Sequence, residues 1–140
     1  GRDNARHPMQ WDDSENAGFT TGKPWLFVNE NYHTINAKSA LADPDSIFYT
    51  YQKLVRLRKS NPIMIWGDFE LLETATDVMS YVRTYAGQRW LIVTNFSNEE
   101  QTFSSAETID RVIIQNDETV LNDLKNLTLT PWQAFVVKLK

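Results

Sequence analysis

Val78-Met79-Ser80-Tyr81-Val82-Arg83-Thr84-Tyr85-Ala86-Gly87-Gln88-Arg89-Trp90-Leu91-Ile92-Val93-Thr94-Asn95-Phe96 is the stretch on which the fold class turns. Val78–Tyr85 alternates, with Met79, Tyr81, Arg83 and Tyr85 on one face and Val82 on the other. A period of two is the mark of a strand with two unlike faces. Gly87 supplies the turn. Trp90–Phe96 is apolar on both faces, which places it centrally in a sheet.

The same pattern runs outward in both directions. Ile63–Trp66 and Phe69–Glu73 read as short β-like runs divided by Gly67-Asp68. Glu100–Ser104, Arg111–Gln115, Leu127–Leu129 and Phe135–Leu139 follow. Roughly eight short strands with turn residues between them predict a small antiparallel Greek-key sandwich. Trp90 is expected in its core, and Trp132, after Pro131, half exposed at a turn.

One helix precedes this β region. Asp43 suits the N-cap, Pro44 the first helical position, and Asp45 the positive end of the helix dipole. Ile47, Phe48, Tyr51, Leu54 and Val55 then recur at three- and four-residue steps, an apolar stripe able to lie on the β domain. Asn61-Pro62 is read as the stop. The boundary predicted between the two parts gives residues 1–62 and 63–140.

Residues 2–40 carry no lasting period and are rich in Asp, Asn, Gly, Pro and Thr, yet include Met9, Trp11, Phe19, Trp25 and Phe27. A loop so long and so apolar is either functional or missing the surface it rests on. Alone, it is expected to be mobile or to self-associate through those exposed groups.

Composition removes several classes of function. With 41% hydrophobic and 23% charged residues the chain is globular rather than disordered. A net charge of -4, with basic residues concentrated only at Lys53–Lys59, offers no footprint for nucleic acid or anionic lipid. No run is apolar enough for a membrane helix, and Gly1-Arg2-Asp3-Asn4 does not open a leader of secretory type. The absence of cysteine excludes disulfides and thiolate metal sites and fits a cytoplasmic location. No cofactor or metal motif is present, and the spacing of Asp12, Asp13 and Glu15 is not that of an EF-hand.

The segment Arg2-Asp3-Asn4-Ala5-Arg6-His7-Pro8-Met9-Gln10-Trp11-Asp12 resembles a late loop of the oligo-1,6-glucosidase and dextran glucosidase branch of the α-amylase superfamily, glycoside hydrolase family 13. That branch typically reads Arg-Asp-Asn-Ala-Arg-Thr-Pro-Met-Gln-Trp-Asp, and trehalose-6-phosphate hydrolases share most of it. The likeness continues through Asn16–Thr20, Pro24-Trp25, Asp45–Phe48, Leu57–Lys59 and Tyr81–Arg83 to Phe135–Leu139, nearly the whole chain. His7 departs from the family's threonine.

The resemblance implies that residues 1–62 are the last loop and last helix of a (β/α)8 barrel, and residues 63–140 an all-β C-terminal domain. It also implies a parent α-glucosidase acting on α-1,6 bonds at the non-reducing end of short oligosaccharides by a retaining double displacement. Such a reaction needs two carboxyl groups about 5–5.5 Å apart. In the family these acids precede the matched motif, so the chain alone is expected to be inactive. Among its own residues, Asp12, Asp13 and Glu15 beside Trp11 suggest a sugar site, but a Gly- and Thr-rich loop reads more simply as a solvated acidic turn.

In the resembling enzymes the first arginine of the motif hydrogen-bonds the terminal glucose beside an acidic partner. Arg2 is therefore the candidate substrate-binding residue, its planar fork suited to paired hydroxyls and a carboxylate. Arg6 is the second candidate, with loop bracing as its competing role. The implied partners are an α-linked oligosaccharide and the remainder of the barrel. The choice among isomaltose-, dextran-, sucrose- and trehalose-6-phosphate-type substrates stays open. The rival reading is a free-standing carbohydrate-binding or interaction module built on exposed tryptophans.

Overall fold

A computed structural model describes residues 2–140. It divides into two compact units, Gly1–Arg56 and Leu57–Lys140. No helix among the described residues is long and apolar enough to cross a membrane.

In the second unit Asp68–Leu71 (β1), Val78–Tyr85 (β2), Gln88–Asn95 (β3), Ile109–Gln115 (β5) and Ala134–Leu139 (β7) form one antiparallel sheet in the order β1-β2-β3-β7-β5. Gln101–Phe103 (β4) pairs with Leu127–Leu129 (β6) in a second. The last strand thus enters between β3 and β5, a Greek-key arrangement. The hairpin between β2 and β3 closes through Ala86 and Gly87, both at positive φ (50° and 76°). That pair of left-handed residues matches the strand twist.

The core lies between the two sheets, where Val82, Leu91, Val93, Phe135 and Val137 meet Phe103 and Leu129. Leu121 and Leu124 join it from a segment without regular structure. The other face of the large sheet buries Trp90, Ile92 and Val136 under Ile63, so Trp90 is core as expected. Trp132 stands 58% exposed at the turn after Pro131.

Ile63–Trp66 is not a strand but one helical turn (α3). The helix before it ends at Ser60, as the Asn61-Pro62 stop predicts, and Pro62 then begins this turn: its φ of -52° is helical, and its carbonyl accepts from Ile65 and Trp66. Ile63 is thereby turned onto the sheet. Gly67 follows so tightly that an added Cβ would lie 2.5 Å from the Ile63 carbonyl oxygen. Gly67→Ala is therefore expected to destabilise this unit by about 1–3 kcal/mol, read as a lower urea midpoint. An unchanged midpoint would mean that α3 shifts freely.

In the first unit two helices stand where one was predicted. Ala37–Ala42 (α1) is capped by Asn36, whose side chain accepts from the Ser39 N–H at 2.8 Å. The second, Ile47–Ser60 (α2), extends past the division between the units. It begins later than the Asp43 cap would place it. Asp43 spends its carboxylate on the Asp45 N–H and its carbonyl on the Ser46 N–H, closing a turn between the helices. The first helical bond is instead Thr50 N–H to Ser46. The predicted stripe of α2 is present but uncovered: Ile47 is 87% and Tyr51 68% exposed, and Phe48 and Leu54 are also exposed. Only Val55 is partly buried.

Candidate functional site

The chain opens on a 3-10 turn, Arg2–Arg6. Arg2 is exposed on it. Arg6 approaches Asp3 at 3.8 Å with both side chains largely in water, a brace of little energetic weight. The structure thus gives Arg6 a local partner consistent with the bracing alternative.

The residues after this turn are held by the rest of the unit. The His7 Nδ1 lies 3.0 Å from the Phe27 carbonyl, and the two rings meet edge to face. Pro8 is buried. Gln10 donates to the Asn31 side chain at 3.1 Å and to the Ile35 carbonyl, while its own carbonyl accepts from Ala37. Lys38 N–H bonds to the Trp11 carbonyl. Asn36, buried between α1 and the preceding turn, donates to the Tyr32 carbonyl at 2.8 Å. The segment that shows no period in sequence is therefore held by a mixture of side-chain bonds and long-range backbone bonds, which leave no periodic trace.

The acidic cluster is structural in its bonding. Asp12 accepts from both the hydroxyl and the backbone N–H of Ser14, which hold its carboxyl below the usual aspartate range. Asp13 is lowered chiefly by its 3.0 Å hydrogen bond and ion pair with Lys38, whose own ammonium is pushed up by the same contact. A general acid requires the opposite shift, so neither residue suits proton donation near neutral pH. No group of three or more metal-ligating side chains is gathered among the described residues.

Past Asp12 the backbone takes an unusual path. Asn16, Ala17 and Gly18 are all left-handed, at φ 53°, 58° and 65°. Only the glycine does this without steric cost. A Cβ on Gly18 would also strike the Asp12 carboxylate at 2.7–2.9 Å. The bend is tied down by Trp11 and Asp12 N–H groups on the Ala17 carbonyl, and by Asn16 Nδ2 on the carbonyls of Thr20 and Gly22. Beside it lies an open groove of about 580 Å³ lined by Ser14, Glu15, Gly18, Phe19, Thr20 and Thr21. Another, of about 460 Å³, runs from His7 to Phe48 along Met9, Asn29 and Ile35. Neither includes Arg2 or Arg6. Glu15, marked by the acidic cluster, and Gly18–Thr20, marked by the family likeness, line the first groove, but the left-handed bend at Asn16-Ala17-Gly18 is not legible in the sequence.

Comparison with known proteins places this geometry. The family model described as "Alpha amylase, catalytic domain" matches residues 1–67, and "Alpha-amylase SusG C-terminal domain" matches residues 78–136. A glucan 1,6-alpha-glucosidase of Streptococcus pneumoniae is 54% identical over 99% of this chain and 26% of its own length. An oligo-1,6-glucosidase of Bacillus cereus is 48% identical over 100% of the chain and 26% of its own. The solved structure of the trehalulose synthase MutB from Pseudomonas mesoacidophila superposes with a TM-score of 0.93 at 39% identity, over 100% of this chain and 26% of that one. The chain thus spans about a quarter of the length of these relatives.

Proposed function

The chain belongs to the α-amylase family of glycoside hydrolases, and on that premise we propose that it is the C-terminal part of an exo-acting retaining α-glucosidase that cleaves α-1,6 bonds of short oligosaccharides. Residues 1–62 are the closing loop and helix of its barrel, and residues 63–140 its β domain. Identity to the two 1,6-glucosidases along the whole chain, pocket-loop motif included, carries this reading.

Arg2 serves the reaction by binding, not by proton transfer. Its guanidinium donates a fork of N–H groups to adjacent hydroxyls of the terminal glucose. Arg6, paired with Asp3, takes at most a supporting part in that binding. The nucleophile and general acid come from the part of the barrel outside this chain, since Asp12 and Asp13 are committed to Ser14 and Lys38. That barrel is also the partner that covers Trp11, Phe19, Trp25 and Phe27, all exposed here. A cytoplasmic location goes with a chain free of cysteine.

The isolated chain is expected to release no glucose from isomaltose and to associate with itself as concentration rises, through those uncovered aromatics. Glucose-release assays and sedimentation read both. Turnover that survives purification, and is lost on changing a residue of this chain, would overturn the assignment.

A further inference from the structure

The opening turn that carries Arg2 makes its one ion pair within itself, Arg6 to Asp3 at 3.8 Å. Among the described residues, the bond nearest to this turn that reaches a distant part of the unit belongs to His7, the residue directly after it. The His7 Nδ1 lies 3.0 Å from the carbonyl oxygen of Phe27, 20 residues further along. A carbonyl can only accept, so Nδ1 carries the proton and donates. The imidazole also meets the Phe27 ring edge to face, with centroids 4.4 Å apart. Two contacts of different kinds thus fix one half-buried side chain. The threonine of the resembling family has neither a ring nor a ring N–H to offer there. The tie belongs to this chain's own histidine.

We propose that His7 is a positioning residue, which ties the turn Arg2–Arg6 to the Phe27 segment and so sets where the Arg2 guanidinium meets the sugar. The inference rests on the reading of Arg2 as the glucose-binding arginine and adds what holds that arginine in place. A 3-10 turn is closed by its own i to i+3 bonds, so these residues move as one piece about the anchored end. His7 is that end. Beyond it Pro8 is buried and Gln10 is bonded to Asn31 and Ile35, so the chain is held from His7 onward. Releasing His7 moves the pivot of the turn away from Arg2 and widens the arc its guanidinium can sweep. A misplacement of about 1 Å in a group that grips substrate can cost on the order of a hundredfold in rate.

The test uses the complete enzyme and an aryl α-glucoside, whose coloured product is read even from weak variants. His7→Ala is expected to lower kcat/KM about tenfold in the otherwise unchanged enzyme, but less than about twofold where Arg2 is already alanine. A residue that acts through Arg2 has nothing left to position in that second background. His7→Asn, whose side-chain N–H can take the place of Nδ1–H, is expected to stay within about threefold of wild type. A loss of less than about threefold in His7→Ala overturns the proposal. So does an equal loss in both backgrounds, which is what a role in folding alone would give. If His7→Ala does not accumulate as folded enzyme, His7→Phe, which keeps a ring against Phe27 and removes the N–H, carries the same test with the same limits. Arg2→Ala alone reads the assignment beneath. Activity within about threefold of wild type there removes Arg2 from the sugar site and this proposal with it. A large Arg2 loss beside uncoupled His7 losses condemns the His7 role alone.

Discussion

Arg2→Ala in the complete enzyme is expected to lower kcat/KM for isomaltose by several orders of magnitude while the fold persists. Arg2 sits exposed on the opening 3-10 turn, so truncating it removes no packing. What is lost is binding. A hydrogen bond to a charged group is worth about 1.5–3 kcal/mol. At about 1.4 kcal/mol per tenfold, one such bond accounts for roughly ten- to a hundredfold. The fork makes more than one, and an acidic partner left unpaired in a closed pocket adds its own desolvation cost. If the contact tightens as the glucosyl cation develops, kcat falls with kcat/KM; if it binds ground and transition states alike, only KM rises. Steady-state kinetics on isomaltose separate the two. Activity within threefold of wild type would put Arg2 outside the sugar site.

Leu124→Ala is expected to cost about 2–5 kcal/mol of folding stability, an effect as large as that of emptying a core strand. Leu124 is fully buried in the cluster with Leu91, Val93, Phe135 and Leu129, although no strand or helix contains it. The cavity would open between the two sheets, against strands too well paired to collapse into it. Val120 is the control: it lies in the same irregular segment but is 76% exposed, so Val120→Ala should change stability by less than about 0.5 kcal/mol. Urea unfolding followed by the fluorescence of buried Trp90 measures both, with the slope expected to hold. A loss under 1 kcal/mol for Leu124→Ala would mean the 116–126 segment packs loosely.

Asp117 shows how that segment is anchored. Partial burial opposes its ionisation, but hydrogen bonds from the Thr119 hydroxyl and N–H and from the Thr130 hydroxyl outweigh this and hold the carboxyl below its ordinary range. The sign follows from the lowered value. This contribution is present above the unfolded aspartate range and lost as pH falls through the lower folded one.

The sequence by itself determined what rests on local period and on a distinctive word. Val78–Tyr85 forms a strand with the limits its alternation gives, and Leu127–Leu129 likewise. Trp90 is buried because its neighbours are apolar on both faces of β3. The motif from Arg2 to Asp12 marks the family by itself, since a run of specific polar residues carries far more information than hydrophobicity does.

Only the tertiary structure decided the rest. Ile63–Trp66 is apolar enough for a strand, but its partner is a sheet face, not a sheet edge, and Pro62 turns it into a helix that lays Ile63 on Trp90. Asp43 has the side chain of a helix cap, yet an adjacent helix end made a turn the better use of its carboxylate. Leu121 and Leu124 have no periodic neighbours, so nothing local distinguishes them from exposed Val120. The bend at Asn16–Gly18 depends on bonds from Trp11, Asp12, Thr20 and Gly22 together. No single residue there demands a left-handed backbone, and only the closed set of hydrogen bonds makes that path the stable one.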